Sequence, residues 1–105
     1  MNPNPDKINR YLGLARRAGR IIPGYRSCVN AVKAGKIHFM IVAEDVSENT
    51  KDKFSSLCKN RRVPMAVFGT VDTLSAAAGY RGIGIYGITD KNFADAMKKE
   101  IEMDR

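Results

Sequence analysis

The sequence predicts an α/β protein, specifically a three-layer α/β/α sandwich in which a small mixed sheet of about four strands lies between two helical layers. Along the 105-residue chain, segments with helical spacing alternate with short apolar segments typical of strands. The links between them mostly have the usual length of about 2–6 residues. No internal repeat, linker or low-complexity segment interrupts the pattern, so we expect one domain over residues 1–105.

The predicted elements begin with two helices separated by a short extended link. Residues 6–18 have the spacing of an amphipathic helix, and Gly19 is suited to end it. The link, residues 19–24, is predicted to be extended because its proline biases the preceding residue away from helix. A second helix follows over about 25–34. The apolar stripes consist of Ile8, Tyr11, Leu12, Ala15 and Ala18 in the first helix and Tyr25, Cys28, Val29 and Val32 in the second.

The middle of the chain predicts two strands on either side of a third helix. The continuous apolar run at 37–43 is typical of a central strand that is covered on both faces. The helix is expected over about 48–60, with Ser47 as a candidate N-cap. The second strand, 63–68, contains Pro64, which places it at a sheet edge or limits its start, because proline donates no backbone hydrogen bond.

The last third of the chain predicts a helix, a strand and a helix. Residues 70–78 form a short helix that Gly79 ends, and residues 83–88 form a strand. Thr89 or Asp90 is expected to cap the final helix. The inward side chains of that helix are predicted to be Phe93, Met97 and Ile101.

The positive charge is concentrated in the first third of the chain. The 18 Lys+Arg and 11 Asp+Glu residues give a formal net charge of +7. Residues 1–36 contain eight of the basic residues and one acidic residue, whereas residues 37–105 sum to zero. Such segregation builds a local potential that attracts polyanions. Because the basic residues of the first helix lie opposite its apolar stripe, we expect an ordered positive face, which distinguishes this segment from a loose tail.

The composition also indicates where the protein works. With 44% hydrophobic residues the chain is too apolar for a disordered basic tail. No apolar run approaches the ~20 residues of a membrane span, and the polar opening, residues 1–6, does not resemble a secretion signal. The two cysteines do not suggest a disulfide scaffold. We therefore expect a cytoplasmic protein with no membrane partner.

One motif, the G-x-G-x-x-G string at 82–87, matches the pattern of dinucleotide-binding loops. That mechanism requires the glycines in a turn between a strand and a helix, whereas here they lie inside a predicted strand. Only 18 residues follow Gly87, too few for the rest of a nucleotide-binding unit. We interpret the string as a coincidence, with Gly84 and Gly87 allowing close packing.

The other residues capable of chemistry have structural interpretations. His38 has no identifiable nucleophile or carboxylate partner, so we expect a surface or core-rim histidine. Cys28 and Cys58 lie on apolar helix faces without metal-ligand spacing, which predicts core positions. For the pair Glu44–Asp45, capping of the third helix and bonding to loop amides is a better explanation than acid–base catalysis. The sequence therefore predicts no catalytic residues, no metal site and no cofactor.

The basic segment has features that favour nucleic acid. Gly24 opens the second helix, whose unbonded amides and dipole favour phosphate. Cations for phosphates and an amide suited to base edges lie on the two helices around it. These side chains are Arg16, Arg17 and Arg20 on one face of the first helix and Arg26, Asn30 and Lys33 on the second. We expect RNA rather than duplex DNA, because nothing suggests a helix-turn-helix or zinc module.

Three segments of the chain resemble a known family. The strings LGLARRAGR at 12–20, VAEDVSENT at 42–50 and GITD at 87–90 are similar, in order and spacing, to a small bacterial member of the ribosomal protein L7Ae/L30e superfamily. The resemblance covers nearly the whole chain. It implies an α/β/α fold and a non-catalytic, ribosomal-protein type of function. It also implies binding to kink-turn or similar RNA, in which sheared G·A pairs follow a bulge.

The resemblance further implies where RNA is contacted. In the family the second helix starts with a glycine, then Asn-Glu, then a Lys three residues on, all facing the guanines. The glycine is Gly24 here, whereas the other positions are Arg26, Ser27 and Asn30. Because the Glu that accepts from guanine N–H groups is absent, we expect a relaxed or altered kink-turn preference, with more phosphate contact.

Two loops complete the expected RNA edge. The loop 79–82 corresponds to the family's second contact, with Arg81 at the position of a loop arginine, and the loop 47–51 would face the same edge. The candidate RNA-binding residues are Arg16, Arg17, Arg20, Gly24, Tyr25, Arg26, Ser27, Asn30, Lys33, Ser47, Lys51, Tyr80 and Arg81. An alternative is a protein-interaction adaptor that keeps the fold without kink-turn recognition. A small enzyme is a third reading, supported only by the glycine string and the carboxylate pair.

Overall fold

The computed structural model describes residues 5–102 and contains five helices and four strands. Residues 1–4, which form most of the polar opening segment, lie outside the described residues, as do residues 103–105. The helices are α1 Pro5–Arg17, α2 Tyr25–Lys33, α3 Glu48–Arg61, α4 Val71–Ala78 and α5 Lys91–Glu102. The strands are β1 Ile21–Pro23, β2 Phe39–Val42, β3 Met65–Val67 and β4 Ile85–Ile88.

The four strands form one mixed sheet in the order β1-β4-β2-β3. Strand β4 is antiparallel to both β1 and β2, whereas β3 is parallel to β2. The predicted central strand is therefore β2, and β3, the strand preceded by Pro64, lies at an edge as expected. The predicted three-layer α/β/α fold with a small mixed sheet is confirmed.

One strand was predicted only as an extended link. Residues 21–23 pair with β4 in the register Ile21↔Ile88 and Pro23↔Tyr86, which makes this segment the other edge of the sheet. Because the partner strand lies more than sixty residues away along the chain, no local pattern in the link identifies the pairing. The proline is tolerated since an edge strand can lack one backbone donor.

Helices cover both faces of the sheet. On one face α1, α4 and α5 enclose a cluster that includes Leu12, Leu74, Tyr86 and Met97. On the other face α2 and α3 enclose a second cluster, which contains both cysteines, Phe54 and the strand residues that face these helices, Met40, Val42 and Ile85. The positions predicted inward on α5 are confirmed for Met97, which is fully buried, while its neighbours one turn away are half-buried against the same core.

Side-chain caps explain three of the helix starts. The Ser47 hydroxyl accepts from the amide of Thr50 at 3.1 Å and caps α3, as predicted. The Asp90 carboxylate accepts from Phe93 N at 3.0 Å, so Asp90 rather than the preceding threonine caps α5. The carboxylate pair after β2 does not cap α3, but the expected bonding to a backbone amide is found for Asp45. Asp45, the second member of the pair, accepts from the amide of Val71 at 2.8 Å, at the start of α4.

Two glycines of the string at 82–87 lie where close packing leaves no room for a side chain. A Cβ added at Gly84 would lie 2.8 Å from Val71 Cγ2, and one added at Gly87 would lie 2.5 Å from Ile37 Cδ1. Both glycines are buried, and Gly87 lies inside β4. They therefore allow helices and loops to approach the sheet closely, as expected, and they form no phosphate loop.

The two ends of the sheet differ in which segments they bring together. At one end β1 and β2 finish and β4 begins, and α2 starts there at Gly24; we call this the Gly24 end. At the other end β1 and β2 begin and β4 finishes, and α2 terminates there at Lys33; we call this the Lys33 end. The nine residues of α2 separate these ends by about 13 Å.

Candidate nucleic-acid interface

A groove of ≈ 320 Å³ opens at the Gly24 end. Four segments meet there: the start of α2, the loop from β2 to α3, the start of α4 and the loop that leads into β4. We call it the Gly24 groove, and it is lined by Gly24, Tyr25, Val46, Thr50, Val71, Gly82, Ile83, Gly84 and Ile85. None of these residues carries a charged side chain, so the groove is defined by backbone, hydroxyl and apolar groups.

Gly24 positions the first turn of α2 at this groove. Its φ of 95° lies in the region that favours glycine, and its amide donates to Ile85 O at 2.8 Å, which anchors the helix start to β4. Gly24 provides no side-chain cap for the helix. The amides of the first turn have no intrahelical acceptor, so they can donate to a phosphate or to a base oxygen.

Tyr25 supplies an aromatic surface beside those amides. Its ring packs edge-on against buried Phe54 of α3, with ring centroids 5.2 Å apart and an interplanar angle of 80°. The side chain nevertheless remains 44% exposed. A tyrosine ring held by one neighbour and open on its other side can stack on an unpaired base.

Two contacts across the groove hold its walls together. The Asp45–Val71 hydrogen bond ties the loop after β2 to the start of α4. The second contact is at Gly84, against which Val71 and Val46 pack. A Cβ added at Gly84 would lie 2.8 Å from Val71 Cγ2 and 3.0 Å from Val46 Cγ1, so no larger residue fits there without a shift. The width of the groove is therefore determined by packing.

Several predicted residues follow or precede in sequence the residues that line the Gly24 groove, and we call these neighbours its rim. Arg26 and Ser27 follow Tyr25 on the first turn of α2, and Asn30 is one turn further on; all three are exposed. Ser47 is engaged as the cap of α3, and Lys51 pairs with Glu48 at 3.2 Å. Arg81 immediately precedes the groove residue Gly82 and is exposed. Within residues 5–102 the side chains of Arg26 and Arg81 form no hydrogen bond or ion pair.

Arg16 and Tyr80 hold the start of the 79–82 loop. Arg16 Nη1 donates to the carbonyls of Ala78 and Gly79 at 3.1 and 2.9 Å, at the C-terminus of α4. Its guanidinium carbon lies 3.9 Å from the centroid of the Tyr80 ring. Arg16 thus satisfies the last carbonyls of a helix and binds an aromatic face. Arg17, its neighbour, is exposed and makes no side-chain contact of this kind within the described chain.

Arg20 and Lys33 are not brought to the Gly24 groove. Arg20 precedes β1, and its Nε lies 4.0 Å from the Asp90 carboxylate at the Lys33 end. Lys33 is the last residue of α2. The basic residues of the first third of the chain are therefore divided between the two ends of the sheet. Arg20 lies before β1 and Lys33 lies at the end of α2, so both are at the end opposite Gly24.

Sequence reasoning did not identify the walls of the groove. Val46, Thr50, Val71 and Ile83 all line it, yet they are ordinary core-type or helix-start residues in the sequence. The one available signal was the position of the carboxylate pair at the end of β2, which marks the loop that closes the groove through Asp45.

The two cysteines lie in the core. Burial raises the pKa of the Cys28 thiol to about 12 and that of Cys58 to about 11, so both stay protonated near neutral pH. Both are free and buried, as predicted. Among residues 5–102, no group of three His, Cys, Asp or Glu side chains is placed to hold a metal ion. No helix in the same range is long and apolar enough to cross a membrane.

Comparisons with known proteins agree with this fold. The family model "Ribosomal protein L7Ae/L30e/S12e/Gadd45 family" matches residues 6–98. The chain is 31% identical over 99 residues to "RNA-binding protein YlxQ" of Enterococcus faecium, covering 94% of this chain and 95% of that protein. It is 26% identical over 86 residues to the Bacillus subtilis protein of the same name, covering 82% of this chain and 86% of that one.

Two solved structures are also similar. A Bacillus halodurans protein described as having unknown function superimposes with a TM-score of 0.89 at 29% identity, covering 91% of this chain and 97% of that one. The Giardia lamblia 15.5kD RNA binding protein superimposes with a TM-score of 0.81 at 16% identity, covering 97% of this chain and 91% of that one. The second likeness is one of fold.

Proposed function

The chain belongs to the ribosomal protein L7Ae/L30e/S12e/Gadd45 family, and we propose that it binds structured, kink-turn-like RNA as a single non-catalytic domain in the cytoplasm. The observation that carries the proposal is the Gly24 groove, in which the free amides of the α2 start lie beside a half-exposed tyrosine. The names of the Enterococcus and Bacillus relatives as RNA-binding proteins support it.

The groove suits the recognition of an extruded base. Its apolar walls, which include Val46, Val71 and Ile83, exclude water from a base that enters. The Tyr25 ring provides a stacking surface, and the amides of the α2 start provide donors for a base oxygen or a phosphate. The protein then recognises a bulged RNA by the shape of the extruded base, which enters the uncharged Gly24 groove.

The rim adds phosphate contacts that depend less on sequence. Arg26 and Arg81 are exposed cations next in sequence to the groove residues Tyr25 and Gly82, and neither is engaged with another side chain of residues 5–102. Where the family pattern has an amide, a carboxylate and a lysine, Arg26, Ser27 and Asn30 offer a cation, a hydroxyl and an amide. A good bidentate base contact is worth about 1–3 kcal/mol of discrimination, so the loss of a carboxylate relaxes the preference for guanines.

The decisive experiment is a titration against a kink-turn RNA and a matched RNA whose G·A pairs are replaced by Watson–Crick pairs, each at several salt concentrations. We expect tighter binding to the kink-turn RNA, with a salt dependence that reflects the phosphate contacts of the rim. Equal binding to both RNAs would show that the protein binds RNA generally and does not recognise the kink-turn. No binding to either at low salt would favour the protein-interaction adaptor.

A further inference from the structure

A second groove, of ≈ 530 Å³, lies at the Lys33 end of the sheet. The ends of α2 and α3 and the start of α5 form it, together with the segments that lead into β2 and β3. We call it the Lys33 groove. Its charged or ionisable lining residues are Lys33, His38, Arg61, Arg62, Lys91 and Asp95.

The charge of this groove is positive and largely uncompensated. Lys91 Nζ pairs with Asp95 Oδ2 at 3.0 Å, and Asp95 is the one acidic residue of the lining. Lys33, Arg61 and Arg62 are exposed, and within residues 5–102 no carboxylate lies within ion-pairing distance of them. Three unpaired cations around one concavity focus a positive potential into it.

One of these cations is held in position. Arg61 Nη1 donates to the carbonyl of Lys33 at 3.2 Å, which links the last turn of α3 to the last residue of α2. A guanidinium has five N–H donors, so the others remain available to a ligand. Its planar fork matches the geometry of a phosphate.

The neighbouring cation stands where the backbone favours glycine. Arg62 has φ 58° and ψ 38°, and it is the only non-glycine residue with positive φ within residues 5–102. It is the left-handed cap of α3, with its amide directed at Cys58 O and Lys59 O. Glycine is the usual residue at such helix ends because it has no Cβ. The helix end therefore carries a cation where a glycine would relieve backbone strain.

We propose that the Lys33 groove binds the phosphate backbone of RNA, as a second contact separate from the Gly24 groove. The inference rests on the proposed function, because that function already places RNA on this molecule. The molecule measures 30 × 29 × 27 Å. An RNA whose bulge is held in the Gly24 groove therefore needs to extend by no more than about this distance to reach the Lys33 groove. The cations supply contacts that do not read sequence.

The test uses two RNAs, a poly-glutamate probe, two double variants of the full chain and the single variant Arg26→Glu. The first RNA contains the kink-turn with minimal flanking pairs, and the second carries the same kink-turn with extended duplex arms. The groove variant is Lys33→Gln with Arg62→Gly, which leaves the bridging Arg61 intact and relieves the strained backbone. The control is Lys53→Gln with Lys99→Gln, two exposed lysines outside both grooves whose loss changes the net charge equally.

We expect wild type to bind the extended RNA more tightly and with a steeper salt dependence than the short RNA. The groove variant should lose about tenfold in affinity for the extended RNA at moderate salt, and its log K against log salt slope should become shallower by about 1.5, since each phosphate contact contributes about 0.7–0.9. Its affinity for the short RNA should be unchanged. The control variant should bind both RNAs like wild type, and the melting temperatures of both variants confirm folding.

The failures are distinguishable. If the groove variant and wild type bind the extended RNA equally, while Arg26→Glu weakens binding to the short RNA, the second contact is overturned and the proposed function stands. If the groove variant loses affinity but Arg26→Glu changes nothing, the second contact stands and the Gly24 site is overturned. If wild type binds neither RNA, both are overturned. If the groove variant instead loses only binding to a poly-glutamate probe, the ligand is an acidic peptide and the RNA assignment is wrong.

Discussion

The two grooves at opposite ends of the sheet use different physical means to attract a ligand. The Gly24 groove has no charged lining residue and is shaped by packed valines, free helix amides and a tyrosine ring. The Lys33 groove is lined by four Lys and Arg residues against one carboxylate. Phosphate contacts position an RNA, whereas base contacts specify it. On the proposed RNA function, we therefore expect base selectivity from the Gly24 groove itself and salt-sensitive affinity from its rim and from the Lys33 groove.

Helix α2 connects the two ends and explains part of the difference. Its N-terminus carries free amides and the positive end of the helix dipole, which attracts an anion or a base oxygen without any charged side chain. Its C-terminus carries unbonded carbonyls, which cations stabilise. Arg61 does this by donating to Lys33 O. The cations of the Lys33 groove therefore also stabilise the ends of α2 and α3.

The largest effect is expected from Gly84→Ala. The added methyl carbon would lie 2.8 Å from Val71 Cγ2 and 3.0 Å from Val46 Cγ1, so both walls of the Gly24 groove must move. We expect a loss of about 1–3 kcal/mol in the free energy of unfolding, measured by urea denaturation. Kink-turn affinity should fall as well, while the salt slope of extended RNA is retained. An unchanged stability would contradict the packing argument.

Next is Arg26→Glu, which reverses a charge at the rim of the Gly24 groove. RNA affinity should fall roughly thirtyfold, which is about 2 kcal/mol, since a cation beside the phosphates becomes an anion. The stability of the fold should be kept, because a Glu in the first turn of α2 suits the helix dipole. Lys53→Glu is the matched control, with the same charge change on exposed α3. If both variants lose the same RNA affinity, Arg26 contributes only through the net charge of the protein.

Arg16→Ala and Arg17→Ala separate a positioning role from a direct contact. Arg16 caps α4 and covers Tyr80, so its removal should lower the free energy of unfolding by about 1 kcal/mol and leave the salt slope of RNA binding nearly unchanged. Arg17 makes no such contact within the described chain, so its removal should spare stability. If Arg16→Ala alters the salt slope without loss of stability, Arg16 contacts phosphate directly.

The smallest effect is expected from Arg62→Gly alone. Because Arg62 occupies a left-handed conformation, glycine should raise the free energy of unfolding by about 0.5–1 kcal/mol. The same change should make the salt slope for extended RNA shallower by about 0.8. Thermal unfolding and salt-dependent titration check the two effects separately. A gain in stability with an unchanged slope would confirm the strain and remove Arg62 from the RNA contact.

Most of the fold could be predicted from local pattern. The alternation of helical and strand-like segments, the cap at Ser47 and the edge position of the strand after Pro64 all depend on neighbouring residues, and all are confirmed. Strand β1 was predicted only as an extended link, because three residues become a strand when a distant partner pairs with them. The family resemblance supplied the likeness of fold that the comparisons confirm.

The candidate site was predicted less completely. The sequence indicated Gly24 and the residues after it, and of these Gly24 and Tyr25 line the groove. It did not indicate that Arg16 binds α4, nor that Val71 and Ile83 form groove walls. Those facts depend on which segments meet across the molecule, and neither charge nor periodicity encodes that.

By itself, the sequence determined the helices, most strands, the concentration of charge in residues 1–36 and the family likeness, because each follows from the order and spacing of neighbouring residues. Only the tertiary structure decided how that charge is distributed. A strand and a helix run the length of the sheet, so Arg20 and Lys33 end opposite Gly24. There Lys33 joins Arg61 and Arg62, which belong to the part of the chain whose charges sum to zero. Charge in sequence becomes a binding surface only through proximity in space, and proximity is a property of the packed chain.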